Sequence, residues 1–286
     1  MTATNKVDLH MHSSVSDGTD SPAELLRKVC EVGIEMFSVT DHDAVKSGKI
    51  IRGLLKRGDP IFIPGAEFSC KDGYGKYHIL GYGFDPDNHE INSLVDHAHA
   101  LRMKKVKLRL EFLRSEFGFA FPEEEINHLL SLDNPGKPHI GNLMVKYGYA
   151  KTKEEAIDRY INGMHFKSEY LSPGQTISGI LASGGIPVLA HPFYGSGDEL
   201  IIGKEMDERL RRLMRYGLKG IEAFYSGFSE KFQKDALSLA DRYDLLVTAG
   251  SDYHGENKLV KLGDTGLSSV QEPPQRLRRF LEFVKI

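Results

Sequence analysis

The stretch VDLHMHSSVSDGT, residues 7–19, decides the fold class. Its apolar start leads into His10 and His12, and Asp17 follows five residues later. Side chains alternate between the two faces of a strand, so histidines two residues apart point the same way. Titratable groups at the end of a core strand are typical of α/β proteins, whose active sites lie at the carboxyl ends of parallel strands. The stretch therefore predicts a first strand that ends at a functional site.

Short apolar runs recur along the chain and alternate with helical patterns. The runs are KVDL, EMFSVT, DPIFIPGA, YHILGYGF, GGIPVLA, LKGIEAFY and DLLVTAG, and their β-branched and aromatic residues predict strands. The pattern SPAELLRKVCEVG predicts a helix with Ser21 as its N-cap, Pro22 at its first position and Gly33 after its end. Alternating strands and helices predict an α/β fold with a parallel sheet, open or closed into a barrel.

The alternation is interrupted between about residues 88 and 172, where no strand-like run occurs. Helical patterns fill this interval: a long stretch from Ile91 to Phe117, then PEEEINHLL, HIGNLMVKYG and TKEEAIDRYIN. We therefore expect an α/β core of residues 1–88 and 172–286, and a helical insertion subdomain of residues 89–171 that caps the substrate site.

Imidazoles and carboxylates lie at the ends of most of the apolar runs. They are His10, His12, Asp41, His42, Glu67, His78, His191, Asp252 and His254. A His-x-His pair on a strand offers two nitrogens to one metal ion, and Asp252-x-His254 offers an oxygen and a nitrogen with the same geometry. This donor set lacks thiolates and suits Zn, Mn or Fe better than Ca or Mg. Because unpaired charges at this density would be costly to bury, we expect metal binding. Glu222, inside GIEAFY, is not counted as a ligand.

Composition excludes several classes of protein. The chain has 286 residues and a net charge of −3, which argues against stable DNA binding. No apolar run approaches the ~20 residues that span a bilayer, and the N-terminus lacks the apolar core of a signal peptide, so we expect no membrane partner. Two cysteines, Cys30 and Cys70, cannot form a disulfide framework, which favours a reducing cytoplasm. The oligomeric state is left open.

The motifs DLHMHSSVSDG, TDHD, GAEFS, HILGYGF, AHP and GSDYHG, taken in this order, resemble those of the PHP (polymerase and histidinol phosphatase) family. The resemblance runs over nearly the whole chain. It implies a distorted (β/α)7 TIM-like barrel with two or three divalent transition metals, Mn, Fe or Zn, at its carboxyl-terminal rim. It also implies three ligand clusters, which are His10, His12, Glu67 and Asp252; Glu67, His78 and His191; and Asp17, His42 and His254.

The helical insertion and the stretch KPHIGNLMVKYGYAKTKEEAIDRYI, residues 137–161, resemble a bacterial PHP subfamily of small metal-dependent phosphoesterases. Its members act on nucleotide 3′,5′-bisphosphates or on the 5′ ends of short RNA. The resemblance implies a hydrolase acting on ester bonds, which cleaves phosphomonoesters through a metal-bound hydroxide. Its partner would be a phosphorylated small molecule, a nucleotide or a short oligonucleotide.

Two other functions use the same barrel. Histidinol-phosphate phosphatase is the alternative enzyme, and the helical insertion argues against it. A non-catalytic PHP module, which would bind partners, is expected to lose ligands, whereas this chain has the full set.

Four residues of the insertion are candidates to bind a second phosphate: Arg102, Lys105, Lys137 and His139. Lys137 and His139 belong to a Pro- and Gly-bounded stretch, DNPGKP and the residues after it, that predicts a loop over the barrel. Subfamily members have Arg-Pro-His where this chain has Lys137-Pro138-His139, and lysine keeps the charge but loses bidentate phosphate binding. For Arg102 and Lys105 a solvated helix face is the competing interpretation.

Other polar residues are expected to have structural roles. Asp43 either orients His42 or caps a helix that starts near Ala44, and capping is slightly favoured. Cys70 is expected to be a packed thiol rather than a ligand. The histidines without metal-type pairing are expected to be structural or exposed; they are His89, His97, His99, His128 and His165.

Overall fold

The structure is a computed structural model that describes residues 5–163, 169–195 and 199–284. The chain divides into two compact units. The first unit comprises Met1–Val95 and Leu171–Ile286, and the second comprises Asp96–Tyr170. His165 lies outside the described residues. Within the described ranges, no helix combines the length and the apolar character that crossing a membrane requires.

The first unit contains the strands and most of the helices. Its strands are β1 (Val7–Asp8), β2 (Met36–Phe37), β3 (Ile61–Phe62), β4 (Gly65–Asp72), β5 (Gly75–Tyr82), β6 (Ile186–Leu189), β7 (Gly220–Tyr225) and β8 (Leu246–Gly250). Its helices are α1 (Pro22–Val32), α2 (Lys46–Leu54), α7 (Pro173–Ala182), α8 (Gly203–Tyr216), α9 (Glu230–Tyr243) and α10 (Gln275–Phe283). The mixed α/β class predicted from the sequence is confirmed.

The remaining helices belong wholly or partly to the second unit. They are α3 (His89–Phe117), which contains the boundary between the units, α4 (Glu123–Ser131), α5 (Lys137–Lys146) and α6 (Lys153–Glu155), which continues as a π-helix over Ala156–Ile161. Apolar side chains such as Val106, Leu113 and Met144 form a separate core here. Phe119 stacks on Tyr149 with ring centroids 4.4 Å apart, so this unit buries apolar surface of its own.

The strands form two sheets. In the first, β1, β2 and β3 are parallel and in that order. The second has the order β4-β5-β6-β7-β8, and β6, β7 and β8 are parallel. The prediction of a parallel sheet is wrong for β5, which runs antiparallel to both β4 and β6. Only two residues join β4 to β5, a connection that allows a hairpin, whereas a parallel pair needs a long crossover.

Backbone hydrogen bonds connect the two sheets on both sides. The Leu9 N–H donates to Ala249 O at 2.9 Å, which ties the end of β1 to β8. The Glu67 N–H donates to Asp41 O at 3.2 Å, which ties β4 to the segment after β2. The Thr40 N–H donates to Met11 O and the His12 N–H to Tyr253 O, both at 2.8 Å, so the segments that follow β1, β2 and β8 lie beside one another.

Helix α1 shows how the sequence sets the core behind that place. Ser21 and Glu24 form a capping box at its N-terminus, and Gly33 ends it with a left-handed φ of 76°, as predicted. Leu25 and Val29 on its inner face are fully buried. They belong to one core cluster with Met11, Phe37 and Ile51, which come from the β1 end, β2 and α2. Burial of this apolar face holds the first strands in position.

Candidate metal centre

All nine predicted ligands come together in the first unit. His10, His12 and Asp17 follow β1, and His42 follows β2. Glu67 and His78 lie within the paired strands β4 and β5, His191 follows β6, and Asp252 and His254 follow β8. Each of the nine lies within ion-pair distance of at least one other. Glu67 is at the centre of the arrangement.

The first predicted cluster surrounds one point. His10 Nε2 lies 3.4 Å from Glu67 Oε2 and 3.5 Å from Asp252 Oδ1. His12 Nε2 lies 3.3 and 3.4 Å from the same two oxygens. Both imidazoles are fully buried. Two nitrogens and two oxygens therefore face each other inside the protein.

Several of these atoms make no hydrogen bond. His10 Nε2, His12 Nε2 and Glu67 Oε2 are buried and have no hydrogen-bond partner among the described residues. Leaving buried polar atoms in this condition is costly, and native structures rarely tolerate it without a reason. A cation between the nitrogens and carboxylate oxygens would satisfy all three atoms, so the residues present fit a bound metal ion.

The second predicted cluster uses the other oxygen of Glu67. His78 Nδ1 lies 3.0 Å and His191 Nε2 3.2 Å from Glu67 Oε1. The two imidazole nitrogens are 3.3 Å apart. Glu67 thus directs Oε1 to this cluster and Oε2 to the first, so it could contribute one oxygen to each of two metal sites.

The third predicted cluster is less buried. His254 Nε2 lies 3.3 Å from Asp17 Oδ1, and His42 Nε2 lies 3.8 Å from Asp17 Oδ2. His254 Nδ1 donates to the Asp252 carbonyl at 2.9 Å, which leaves its Nε2 lone pair facing Asp17. His42 Nδ1 also lies 3.0 Å from Glu67 Oε2, so His42 connects the third cluster to the other two.

The charged groups of the cluster shift the pKa values of His12 and Asp17. Burial lowers the pKa of His12, but the adjacent carboxylates of Asp252, Glu67 and Asp17 outweigh burial and raise that pKa to about 9. Burial alone would raise the pKa of Asp17, whereas His42, His254 and His12 bring it well below its usual range. Because a ligating imidazole must be neutral, protons and metal ions compete for His12.

Glu222, which the sequence analysis left out, supports two of the ligands. It is fully buried in β7. Its Oε1 accepts a hydrogen bond from His10 Nδ1 at 2.9 Å, and its Oε2 accepts the His191 N–H at 2.8 Å. With Nδ1 donating, the Nε2 lone pair of His10 points at the cluster. The signal in the sequence was a carboxylate inside an apolar run, because such a group must be paired where it is buried.

Asp41, the first acid of TDHD, fixes the loop that follows the His-x-His pair. Its carboxylate accepts the Ser13 N–H at 2.7 Å and the hydroxyls of Ser13 and Ser16 at 2.6 Å each. The carboxylate is fully buried. Asp41 is therefore a structural support for the Asp17 loop, and through these bonds it contacts none of the nine predicted ligands.

Curated relatives cover most of the chain. A 5′-3′ exoribonuclease from Haemophilus influenzae is 26% identical over 91% of this chain and 94% of that protein. A 3′,5′-nucleoside bisphosphate phosphatase from Chromobacterium violaceum is 28% identical over 87% of each chain. A phosphoribosyl 1,2-cyclic phosphate 1,2-diphosphodiesterase from Eggerthella lenta is 28% identical over 87% of this chain and 94% of that protein. No family model matches the chain.

A solved structure shows the same fold. A protein from Bifidobacterium adolescentis, described as a metal-dependent phosphoesterase, has a TM-score of 0.79 and 25% identity, over 97% of this chain and 96% of that one. The relatives are phosphoesterases, and the present chain holds the His and carboxylate groups that a metal-dependent member needs. The chain is a metal-dependent phosphoesterase.

Backbone strain in this phosphoesterase concentrates at the metal centre. Among the described residues other than glycine, positive φ angles occur at Asp43, His191, Asp252 and Asp244, and the first three lie at or beside the cluster. Such conformations cost free energy and persist where the surrounding structure imposes them, often at functional sites. They fix the direction of ligands at the strand ends.

The prediction that Asp43 caps a helix is wrong. Helix α2 begins at Lys46 with Val45 as its N-cap and no side-chain cap. Asp43 instead accepts the Ser69 N–H at 3.0 Å. Cys70 is the packed thiol that was expected: it is buried, its S–H donates to Tyr77 O at 3.6 Å, and burial raises its pKa.

The phosphoesterase holds its four predicted substrate contacts in the second unit. Arg102 and Lys105 lie on α3. Lys105 is 9% exposed, and its ammonium lies 3.7 Å from the centroid of the Tyr170 ring, so it is not a solvated charge. The loop predicted around Lys137 and His139 is wrong, because α5 begins at Lys137.

Pro138 explains that error, because proline is tolerated in the first turn of a helix. His139 Nδ1 accepts the Gly136 N–H at 3.2 Å and thereby caps the helix. Lys137 Nζ donates to Asn162 Oδ1 at 2.6 Å. Both residues therefore lie on a defined helix terminus rather than on a loop.

Proposed function

We propose that this phosphoesterase hydrolyses phosphomonoesters of nucleotide 3′,5′-bisphosphates or of the 5′ ends of short RNA. The convergence of Glu67 with eight other imidazoles and carboxylates carries the proposal, because two-metal centres of this composition serve phosphate ester hydrolysis. The substrate class follows from the activities by which the Haemophilus and Chromobacterium relatives are named.

The three clusters would hold two or three divalent transition ions, Mn, Fe or Zn. Bound there, the ions supply Lewis-acid activation of water and of the phosphoryl group. The protein's own contribution is orientation. Glu67 joins two clusters, Glu222 directs His10 and His191, and Asp41 holds the loop that carries Asp17.

We also infer that the two sheets form one distorted (β/α)7 barrel. The bonds from Leu9 to Ala249 and from Glu67 to Asp41 support this closure. The ligands would then occupy the mouth of the barrel, which is where barrel enzymes carry their active sites. The free cysteines, Cys30 and Cys70, fit a cytoplasmic protein.

The helical unit would cap the substrate, with Lys137 and His139 anchoring the phosphate that is not cleaved. Both belong to the first turn of α5. The N–H groups and the dipole at a helix N-terminus favour an anion, and Lys137 adds a positive charge. Arg102 and Lys105 on α3 are the other two candidates for this contact.

A phosphate-release screen of the Mn-loaded enzyme tests the proposal. The panel is a nucleotide 3′,5′-bisphosphate, a short 5′-phosphorylated RNA, histidinol phosphate and a ribose 1,2-cyclic phosphate. We expect the highest kcat/KM with one of the first two. Preference for histidinol phosphate would favour the alternative enzyme, and preference for the cyclic ester would favour an activity like that named for the Eggerthella relative.

A further inference from the structure

The carboxylate of Asp252 divides its two oxygens between different partners. Its Oδ1 faces the buried imidazoles, 3.5 Å from His10 Nε2 and 3.4 Å from His12 Nε2. Its Oδ2 accepts two other hydrogen bonds, from Lys258 Nζ at 2.6 Å and from the Tyr225 hydroxyl at 3.1 Å. An ammonium and a phenol therefore converge on one anionic oxygen beside the metal centre.

Lys258 and Tyr225 lie at the border between the buried cluster and solvent. Lys258 follows the short 3₁₀ turn Gly255–Asn257, and 41% of its side chain is exposed, against 6% for Asp252. Tyr225 ends β7 and is half-buried, with its ring centroid 5.5 Å from that of His191. A ligand that reaches the cluster from solvent would meet both groups.

The donor capacity of Lys258 exceeds what Asp252 uses. An ammonium carries three N–H donors, and Asp252 Oδ2 accepts one of them. Because 41% of the Lys258 side chain is exposed, its remaining N–H donors can reach a second acceptor from the solvent side while one donor stays on Asp252. The nine predicted ligands are imidazoles and carboxylates, none of which supplies a fixed positive charge to a phosphate.

We propose that Lys258, assisted by the Tyr225 hydroxyl, binds the scissile phosphate of the substrate. The inference rests on the proposed function. The two donors already hold an anionic carboxylate oxygen, and a terminal phosphate oxygen needs the same partners. Lys258 would act on every phosphomonoester, whereas Lys137 would act only on substrates with a second phosphate.

The test compares Lys258→Gln and Lys258→Arg with Lys261→Gln, an exposed lysine three residues further along the chain. All variants are the full chain loaded with Mn. The readouts are Mn content, binding of inorganic phosphate by calorimetry, and kcat/KM for p-nitrophenyl phosphate and a nucleotide 3′,5′-bisphosphate.

We expect Lys258→Gln to weaken phosphate binding and to lower kcat/KM for both substrates by about ten- to a hundredfold, since a charge-assisted hydrogen bond is lost. Lys258→Arg should retain most of the phosphate affinity and of kcat/KM. Tyr225→Phe should lower kcat/KM by less than about tenfold. Mn content should stay unchanged in all variants, and Lys261→Gln should match the wild type.

Two results would overturn the inference. One is unchanged phosphate binding in Lys258→Gln. The other is a loss of Mn that parallels the loss of activity, since Lys258 would then only position Asp252. If the wild type releases no phosphate from any ester, the proposed function fails instead, and the calorimetric comparison still decides whether Lys258 binds phosphate.

Discussion

The two units of the chain differ in how their charged side chains are paired. In the first, imidazoles and carboxylates from many separate segments converge, are mostly buried, and leave atoms such as His10 Nε2 and Glu67 Oε2 without hydrogen bonds. In the second, charges are held by neighbours within the unit: Lys137 by Asn162, Lys105 over Tyr170, and Lys146 by Glu125. The unpaired atoms of the first unit require a partner that its side chains do not supply, whereas these three lysines of the second unit already have partners. Chemistry should therefore depend on the first unit and substrate choice on the second.

The largest effect is expected at His12, which serves the first cluster through Nε2 and approaches Asp17 through Nδ1, 3.7 Å away. His12→Ala should lower kcat by more than about a thousandfold on every substrate, because metal activation is worth several kcal/mol. Circular dichroism should show an intact fold. A near-wild-type rate at saturating Mn would mean that the first cluster is assigned wrongly.

A smaller loss of metal affinity or kcat is expected when Glu222 is replaced. Glu222→Gln keeps the shape but replaces one acceptor oxygen by an NH₂ group, which cannot accept the hydrogen bonds of both His10 and His191. Metal affinity or kcat should fall by about ten- to a hundredfold, the usual result of losing a group that orients a ligand. Glu208→Gln, an exposed acid on α8, is the matched control. If Glu222→Gln equals the control in metal titration and rate, Glu222 does not orient the cluster.

The second unit should show a selective effect. Lys137→Ala should lower kcat/KM for a nucleotide 3′,5′-bisphosphate by about ten- to a hundredfold and leave p-nitrophenyl phosphate almost unchanged, because only the first substrate has a phosphate to anchor. Lys151→Ala, an exposed lysine of the same unit, is the control. Equal losses on both substrates, or no loss on either, would remove Lys137 from the substrate site.

The last effect concerns the dependence of Mn affinity on pH, and per pH unit it is the smallest of the four. In the protein without added metal, the pKa of His12 is raised to about 9 by Asp252, Glu67 and nearby charges against the effect of burial. A proton must leave before a metal binds, so the apparent Mn affinity should rise with pH up to about 9, by at most about tenfold per unit. Competition titrations at three pH values measure this slope. An affinity that is constant or falls over this range would contradict the raised pKa.

The sequence predicted the ligands because their positions follow a simple rule. Two of the predicted ligand pairs, His10 with His12 and Asp252 with His254, lie two residues apart at strand ends. This spacing alone puts the two side chains of each pair on the same face of the strand. Glu222 was not counted because an acid inside GIEAFY indicates that it must be paired but not that its partners are His10 and His191. The direction of β5 depends on the two-residue connection Gly73–Tyr74. The pair Asp72-Gly73 is a hairpin signal, and the strand predictions did not use it.

Neither the start of α5 nor the contacts of Lys258 could be predicted from the sequence, and the reasons are related. Pro138 marks either a loop or a first helical turn, and the capping contact from Gly136 to His139 decides between them. Lys258 reaches Asp252 only through the conformation of the loop after β8, which no periodicity encodes. Local patterns therefore singled out the candidate metal ligands, and tertiary contacts determine what surrounds them.

The central claim is that the atoms left without hydrogen bonds around Glu67 face metal ions. Elemental analysis of the purified chain, loaded with Mn and freed of excess metal by gel filtration, tests it most directly. We expect two or three transition-metal ions per chain in the wild type and fewer in His12→Ala. One ion or none per wild-type chain would contradict the account.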